Sequence, residues 1–205
     1  LNSNEIFDSD KVILYLDLLE NYKSDRIDFE KLNLDHPLYI MFSSGTTGKP
    51  KCIVHSAGGV LLKHLVEVGL HSNAGEKKKF FYFTTCGWMM WNWLVSSLML
   101  NSTICLYDGS PFYPNSDILW NYAEDEKFNF FGTSAKYIDA LSKFKNNISE
   151  KFELENLETI GSTGSPLVHE SFDYVYNNIK KDIHLASLSG GCLLYTSDAA
   201  DDGVG

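Results

Sequence analysis

"PLYIMFSSGTTGKPK", residues 37–51, runs without a break from an apolar segment into serine, threonine, glycine, lysine and proline. The apolar half, Pro37–Ser44, is short, ends in a Gly/Ser/Thr loop and reads as a buried strand. The polar half cannot be core, because its hydroxyls and amides need partners. Gly45 and Gly48 allow backbone conformations closed to other residues. Ser43, Ser44, Thr46 and Thr47 offer hydroxyl donors, and Lys49 and Lys51 offer positive charge. That combination suits a small, highly charged anion held at the end of a strand. A Gly/Ser/Thr cluster is equally the composition of a surface loop, and a bare GTTG would be read that way. The longer string, with a strand before it and Pro-Lys after it, is the more specific signal.

Two other phosphate or nucleophile motifs fail here. A P-loop needs four residues between its glycines and a hydroxyl after its lysine. Only Thr46 and Thr47 separate Gly45 from Gly48, and Pro50 follows Lys49 without hydroxyl or amide hydrogen. No G-x-S-x-G elbow occurs, which argues against a serine hydrolase of that type.

Outward from this stretch the chain alternates between two periodicities. Ala57–His71 carries Leu61, Leu65 and Val68 at helical spacing. "KFFYFTT" (79–85) is strand-like, and "WMMWNWLVSSLML" (88–100) is long enough for a helix. "STICLYDG" (102–109) is a strand closed by an Asp-Gly turn, and 117–127 is a helix with Asp117 as an acidic N-cap. "FNFFGTS" (128–134) is a strand, and "AKYIDALSKF" is a helix with Tyr137, Ile138 and Leu141 on one side. The hydrophilic run "LSKFKNNISEKFELENLE" reads as a surface connection. "LETIGSTG" (157–164) is a strand entering a second Gly/Ser/Thr turn, which Pro166 suits as the opening of a helix. "HESFDYVYNNI" is that helix, and "IHLASLSGG" (183–191) is a last strand. Alternating strands and helices predict an α/β fold, a mainly parallel sheet with helices on both faces. Ligands of such sheets bind at the carboxyl ends of strands, where both Gly-rich turns are expected.

Composition narrows the classes. The 205 residues are enough for one sizeable domain or part of a larger one, and 44% hydrophobic content supports a real core. No apolar run has the length of a membrane span. The net charge of −10 and the lack of a basic segment argue against nucleic-acid binding. "KKK" at 77–79 reads as a solvated turn. Cys52, Cys86, Cys105 and Cys192 form no CxxC pair, which fits a reducing, cytoplasmic setting. "CIVH" (52–55) has metal-like spacing without a second ligand pair, so a strand or core cysteine beside an ordinary histidine is the simpler reading and no metal site is assigned.

"YIMFSSGTTGKPK" resembles the phosphate-binding signature of the AMP-forming acyl-CoA synthetase, or adenylate-forming, superfamily. The longer string "HPLYIMFSSGTTGKPKCIVHSAGG", with "TTCGWMMWNW", "LYDGSP", "STGSPL" and "SLSGG", is similar to the branch that activates acetoacetate. The resemblance runs over residues 36–191. It implies a segment of the large N-terminal domain of an adenylate-forming enzyme: 1–35 a polar lead-in, 36–191 an AMP-binding domain fragment. It further implies ATP, Mg²⁺ and coenzyme A. Acetoacetate would attack the α-phosphate of ATP, giving acetoacetyl-AMP and pyrophosphate, and coenzyme A would then displace AMP.

The site residues follow from the same resemblance. Ser43, Ser44, Gly45, Thr46, Thr47, Gly48, Lys49 and Lys51 would hold the β- and γ-phosphates. Gly164, Ser165 and Pro166 would meet adenine and ribose, and Gly87, Trp88 and Asn92 would wall the acyl pocket. Three tryptophans and two methionines on one helix are as readily core. Asn92 would bond either the ketone oxygen or a neighbouring backbone group, and His55 is read as structural. The pattern departs from the family after "SGG", where Cys192-Leu193 stand in place of a Thr-acid pair. The tail 192–205 resembles a translated adaptor. No catalytic residue is assigned, because the family's adenylation lysine belongs to a C-terminal domain outside this sequence, and the fragment alone is expected to be catalytically incomplete. Two alternatives stay open: the same chemistry on acetate, propionate or another short 3-oxo acid, and a non-catalytic nucleotide-binding module.

Overall fold

A computed structural model of the chain describes residues 13–21, 26–42 and 52–189. The expected phosphate loop, Ser43–Lys51, and the tail 192–205 lie outside the described residues. The chain divides into two compact units, residues 1–32 and 33–205. In the first, α1 (Tyr15–Asn21) buries none of its residues, and Arg26 pairs with Asp28 at 3.1 Å on the surface.

The second unit is built on a five-stranded parallel sheet. Its strands are β3 (Lys79–Tyr82), β4 (Thr103–Cys105), β5 (Phe130–Ser134), β6 (Thr159–Thr163) and β7 (His184–Ser187), in the order β4-β3-β5-β6-β7. Register pairs Phe80 with Phe130 and Phe81 with Phe131. Successive strand residues face opposite sides, so each Phe-Phe doublet feeds two separate cores. On one side Phe81, Phe131, Ile160 and Leu185 meet α4 (Ile118–Glu126), α5 (Ala135–Lys143) and α6 (His169–Asn178). Trp120 stacks on Phe131 there, with centroids 4.5 Å apart. On the other side Phe80, Tyr82 and Phe130 meet Trp93 and Leu94 of α3 (Met89–Ser96), together with Val68. The sheet therefore has helices on both faces, as the alternation of patterns predicts. On α5, Tyr137, Ile138 and Leu141 are all buried.

Several local expectations change. The strand at Pro37 is not part of the parallel sheet: β1 (Pro37–Phe42) pairs antiparallel with β2 (Cys52–Ser56) in a separate two-stranded sheet. Nor is it buried, since Leu38, Ile40 and Phe42 are exposed. The helix after it, α2 (Ala57–His64), is capped by the Ser56 hydroxyl, which accepts from the Gly59 amide at 3.2 Å, and continues as a π-helical turn, Leu65–His71. Of the expected stripe Val68 is buried and Leu65 half-buried, but Leu61 is 50% exposed, and the buried His64 takes its place where the wider turn begins. Asp117 occupies the N-cap of α4, but its side chain caps nothing; it pairs with Lys151 at 2.8 Å and accepts from Asn146. Pro166 does not open α6, which starts three residues later at His169.

The hydrophilic connection before β6 is more than a surface run. Ile148, Leu154 and Leu157 enter the core, and the buried Tyr174 hydroxyl donates to the Asn146 carbonyl at 2.6 Å. Lys180 donates to the Leu154 and Leu157 carbonyls at 2.6 and 2.7 Å. The lysine run is likewise engaged: Lys79 pairs with Glu126 at 2.8 Å, and Lys78 pairs with Glu158.

Glu158 ties three strand beginnings together, accepting from Lys78, from Asn73 at 3.2 Å and from Asn129 at 3.3 Å. Burial acts to raise its pKa, but the bonds from Lys78, Asn73 and Asn129 and the Lys78 charge outweigh it, leaving it below 4.5. A depressed folded-state pKa gives stability that is present above 4.5 and lost as pH falls through the folded value. Glu158→Gln should therefore flatten the acid limb of a urea-midpoint profile between pH 7 and 3. The effect should stay near 0.5–1 kcal/mol, about the worth of a solvent-screened pair. An unchanged acid limb would dissociate Glu158 from that stability.

Candidate nucleotide and acyl site

The carboxyl ends of the parallel strands form one edge of the sheet, and two of the three expected site segments lie along it. The first follows β3. Trp88 donates its amide to the Thr85 carbonyl at 3.0 Å, closing a turn immediately before α3. Trp88 is the N-cap of that helix and is 67% exposed, so it is not a core tryptophan, unlike Trp93. A Cβ built on Gly87 would meet nothing within 4 Å, which leaves the approach to this turn open. Asn92 lies one helical turn further on, half-buried, and donates through Nδ2 to the Met41 sulfur at 3.6 Å. A thioether is a weak acceptor. The Asn92 amide can exchange it for a ligand carbonyl at little cost.

The second segment follows β6. Gly164 has φ +93°, a left-handed conformation that any side chain would strain, while no atom crowds its Cβ position. Glycine is required here by the backbone, and the open space lets a planar ring approach. Ser165 and Pro166 are exposed beside it. The turn is held to the end of β7: Thr163 Oγ1 donates to the Leu188 carbonyl at 3.0 Å, and the Leu188 amide donates to the Ser162 carbonyl at 2.7 Å. The sheet order separates β3 from β6 by β5 alone. Two inter-strand spacings are about 10 Å, a length that a nucleotide with an attached acyl group can span.

The third segment, Ser43–Lys51, lies outside the described residues. Its flanks are described: Phe42 and Cys52 are register partners at the end of the β1–β2 pair. That pair leans on the acyl segment through the Met41–Asn92 contact. Among the described residues no group of three His, Cys, Asp or Glu could hold a metal ion, and Cys52 is exposed.

Between the two turns stands a feature with no motif in the sequence. The Tyr82 ring lies over Gly132 of the neighbouring strand, and its hydroxyl donates to the Thr133 carbonyl at 3.0 Å. Burial pushes the phenol far above its ordinary pKa and keeps it neutral. A glycine inside a strand, paired in register with an aromatic, is the signal that could have found it.

Comparison with known proteins gives matches over most of the chain. The profile of the AMP-binding enzyme family matches residues 3–184. An acetoacetyl-coenzyme A synthetase of Rhizobium meliloti is 54% identical over 175 residues, covering 85% of this chain and 27% of the relative. An acetoacetyl-CoA synthetase of Danio rerio is 46% identical over 172 residues, covering 84% of this chain and 26% of the relative. Among solved structures, acetoacetyl-CoA synthetase from Streptomyces lividans superposes with a TM-score of 0.78 at 41% identity, over 86% of this chain and 28% of that one. The chain thus spans about a quarter of the length of the relatives it matches.

Proposed function

Because the chain belongs to the family of AMP-binding enzymes, we propose that it is a segment of an acetoacetate–CoA ligase. The parent enzyme forms acetoacetyl-AMP from acetoacetate and ATP, then transfers the acyl group to coenzyme A. The observation that carries this reading is the 54% identity to an acetoacetyl-coenzyme A synthetase, sustained over 85% of the chain.

In the first step a carboxylate oxygen bonds to the α-phosphorus, and the bond from that phosphorus to the pyrophosphate oxygen breaks. Both reactants are anions, so the site must counter charge and hold them in line. Ser43, Ser44, Gly45, Thr46, Thr47, Gly48, Lys49 and Lys51 do this at the β- and γ-phosphates. Gly164, Ser165 and Pro166 take the adenine and ribose, and Gly87, Trp88 and Asn92 take the short acid, with Asn92 Nδ2 donating to the ketone oxygen. The attacking carboxylate is already ionised, so no general base is required. Mg²⁺ would arrive with the nucleotide, and no step is assigned to it here. In the second step the coenzyme A thiol gives its proton to solvent, its sulfur bonds to the acyl carbon, and the bond from that carbon to the AMP phosphate oxygen breaks, so that AMP leaves. The free thiols of Cys52, Cys86 and Cys105 suit a cytoplasmic enzyme.

ATP–pyrophosphate exchange by the full-length enzyme across acetate, propionate, butyrate, acetoacetate and 3-oxopentanoate tests the proposal. Acetoacetate should lead the unsubstituted acids by about tenfold or more in kcat/KM, the scale set by one missing polar contact or one methylene. A preference for acetate or propionate would reassign the substrate, and exchange with no acid would favour a nucleotide-binding module without catalysis.

A further inference from the structure

Trp88, Asn92 and Ser96 follow one another at four-residue spacing along a single flank of α3. That flank meets both strands' neighbours. Asn92 reaches Met41 of β1, and Ser96 Oγ lies 2.6 Å from Nδ1 of His64, the last residue of α2. The Ser96 hydroxyl has one hydrogen, which it donates to the Asn92 carbonyl at 2.8 Å. With that hydrogen so placed, the Ser96 oxygen accepts from His64 in the tautomer that carries its proton on Nδ1. His64 is only 3% exposed. Burial lowers its pKa, Glu67 opposes that, and His55 and Lys63 add to it; the imidazole is held neutral.

A buried histidine is ordinarily core, and packing alone would explain a hydrophobic replacement equally well. The position of this one goes further. β1 enters the segment 43–51 and β2 leaves it, running directly into α2. The Met41–Asn92 and His64–Ser96 contacts therefore tie β1 and α2 to the helix bearing Trp88 and Asn92.

We propose that His64 and Ser96 are positioning residues: their hydrogen bond fixes α3 against α2 and so holds Asn92 and Trp88, the residues assigned to the acid, in place. Neither touches substrate. The inference rests on the ligase reading above and adds the groups that hold the residues assigned to its acid.

The test uses Ser96→Ala, His64→Leu, their combination and His64→Asn in the full-length enzyme, with KM for each substrate and thermal melting read together. Ser96→Ala and His64→Leu should each raise KM for acetoacetate about tenfold, as expected when the residues that bind the acid are displaced, with KM for ATP within about twofold. The combined variant should be no worse than His64→Leu, since both remove one bond. His64→Asn, whose amide nitrogen can stand in for Nδ1, should return KM to within about threefold of wild type. Unchanged KM for the acid, or parallel losses in both KM values and melting temperature with additive effects, would overturn the proposal. If wild type activates a different acid, the ligase reading loses its substrate while the same variants are read with that acid. If it activates none, both fall.

Discussion

Gly132→Ala is expected to destabilise the protein by about 3 kcal/mol or more, against the usual direction of such a change. Glycine to alanine inside regular structure normally stabilises by about 0.4–1 kcal/mol through the unfolded chain. Here a Cβ would stand 2.0 Å from Cδ2 and 2.4 Å from Cε2 of the Tyr82 ring. The ring has nowhere to go. It is 5% exposed, edge-on to Trp93 with centroids 6.0 Å apart, and held by its hydroxyl to the Thr133 carbonyl. Overpacking of that kind costs about 1–3 kcal/mol. Displacing the ring also strands a buried hydroxyl and a carbonyl, at about 1–3 kcal/mol more. Urea unfolding of the single variant and of Gly132→Ala/Tyr82→Leu checks this. The smaller side chain should relieve the clash, so the double variant should lose less than the sum of the single changes. Stability of Gly132→Ala at or above wild type would show that the strand accommodates the methyl group and that the ring does not define this edge.

The same residues show what was legible in the sequence. The Phe80-Phe81 and Phe130-Phe131 doublets announce strands buried on both faces, and with the helical patterns between them they imply the parallel sheet. The run 37–42 has the same composition without the same place. Its partner is the chain returning at Cys52–Ser56, and apolar content alone cannot separate an exposed antiparallel pair from a buried parallel strand. Leu61 was misassigned because a π-helical turn breaks the 3.6-residue period on which the stripe was counted. Ile148, Leu154 and Leu157 escaped notice because core contacts made from irregular backbone have no period. The turn at Gly164 is legible as a Gly/Ser/Thr run after an apolar strand, and the structure adds its left-handed backbone. His64 and Ser96 were not, because 32 residues separate two ordinary polar side chains that only folding brings together. Asn92 fell between the two: its amide stood out among aromatics, but Met41 as its partner did not.

Replacing Thr46 and Thr47 together by valine is expected to lower the rate of ATP–pyrophosphate exchange at saturating substrate by about a hundred- to a thousandfold, the loss typical of removing donors from a developing oxyanion. Valine keeps the shape of threonine and removes only the hydroxyl, so the change isolates hydrogen bonding from loop geometry. As the bond to the α-phosphorus breaks, negative charge gathers on the departing pyrophosphate, and donors aimed there bind the transition state better than ATP itself. The loss should therefore fall on kcat more than on KM for ATP. The paired serine substitutions, which keep both hydroxyls, should stay within about tenfold of wild type. Gly164→Val provides the contrast. A side chain at φ +93° strains the turn assigned to adenine and ribose, so KM for ATP should rise while kcat changes less. If the valine pair keeps its exchange rate to within about fivefold, the donors at the departing pyrophosphate are not these hydroxyls. Charge neutralisation would then pass to Lys49 and Lys51, and the glycines would serve only to let the backbone approach.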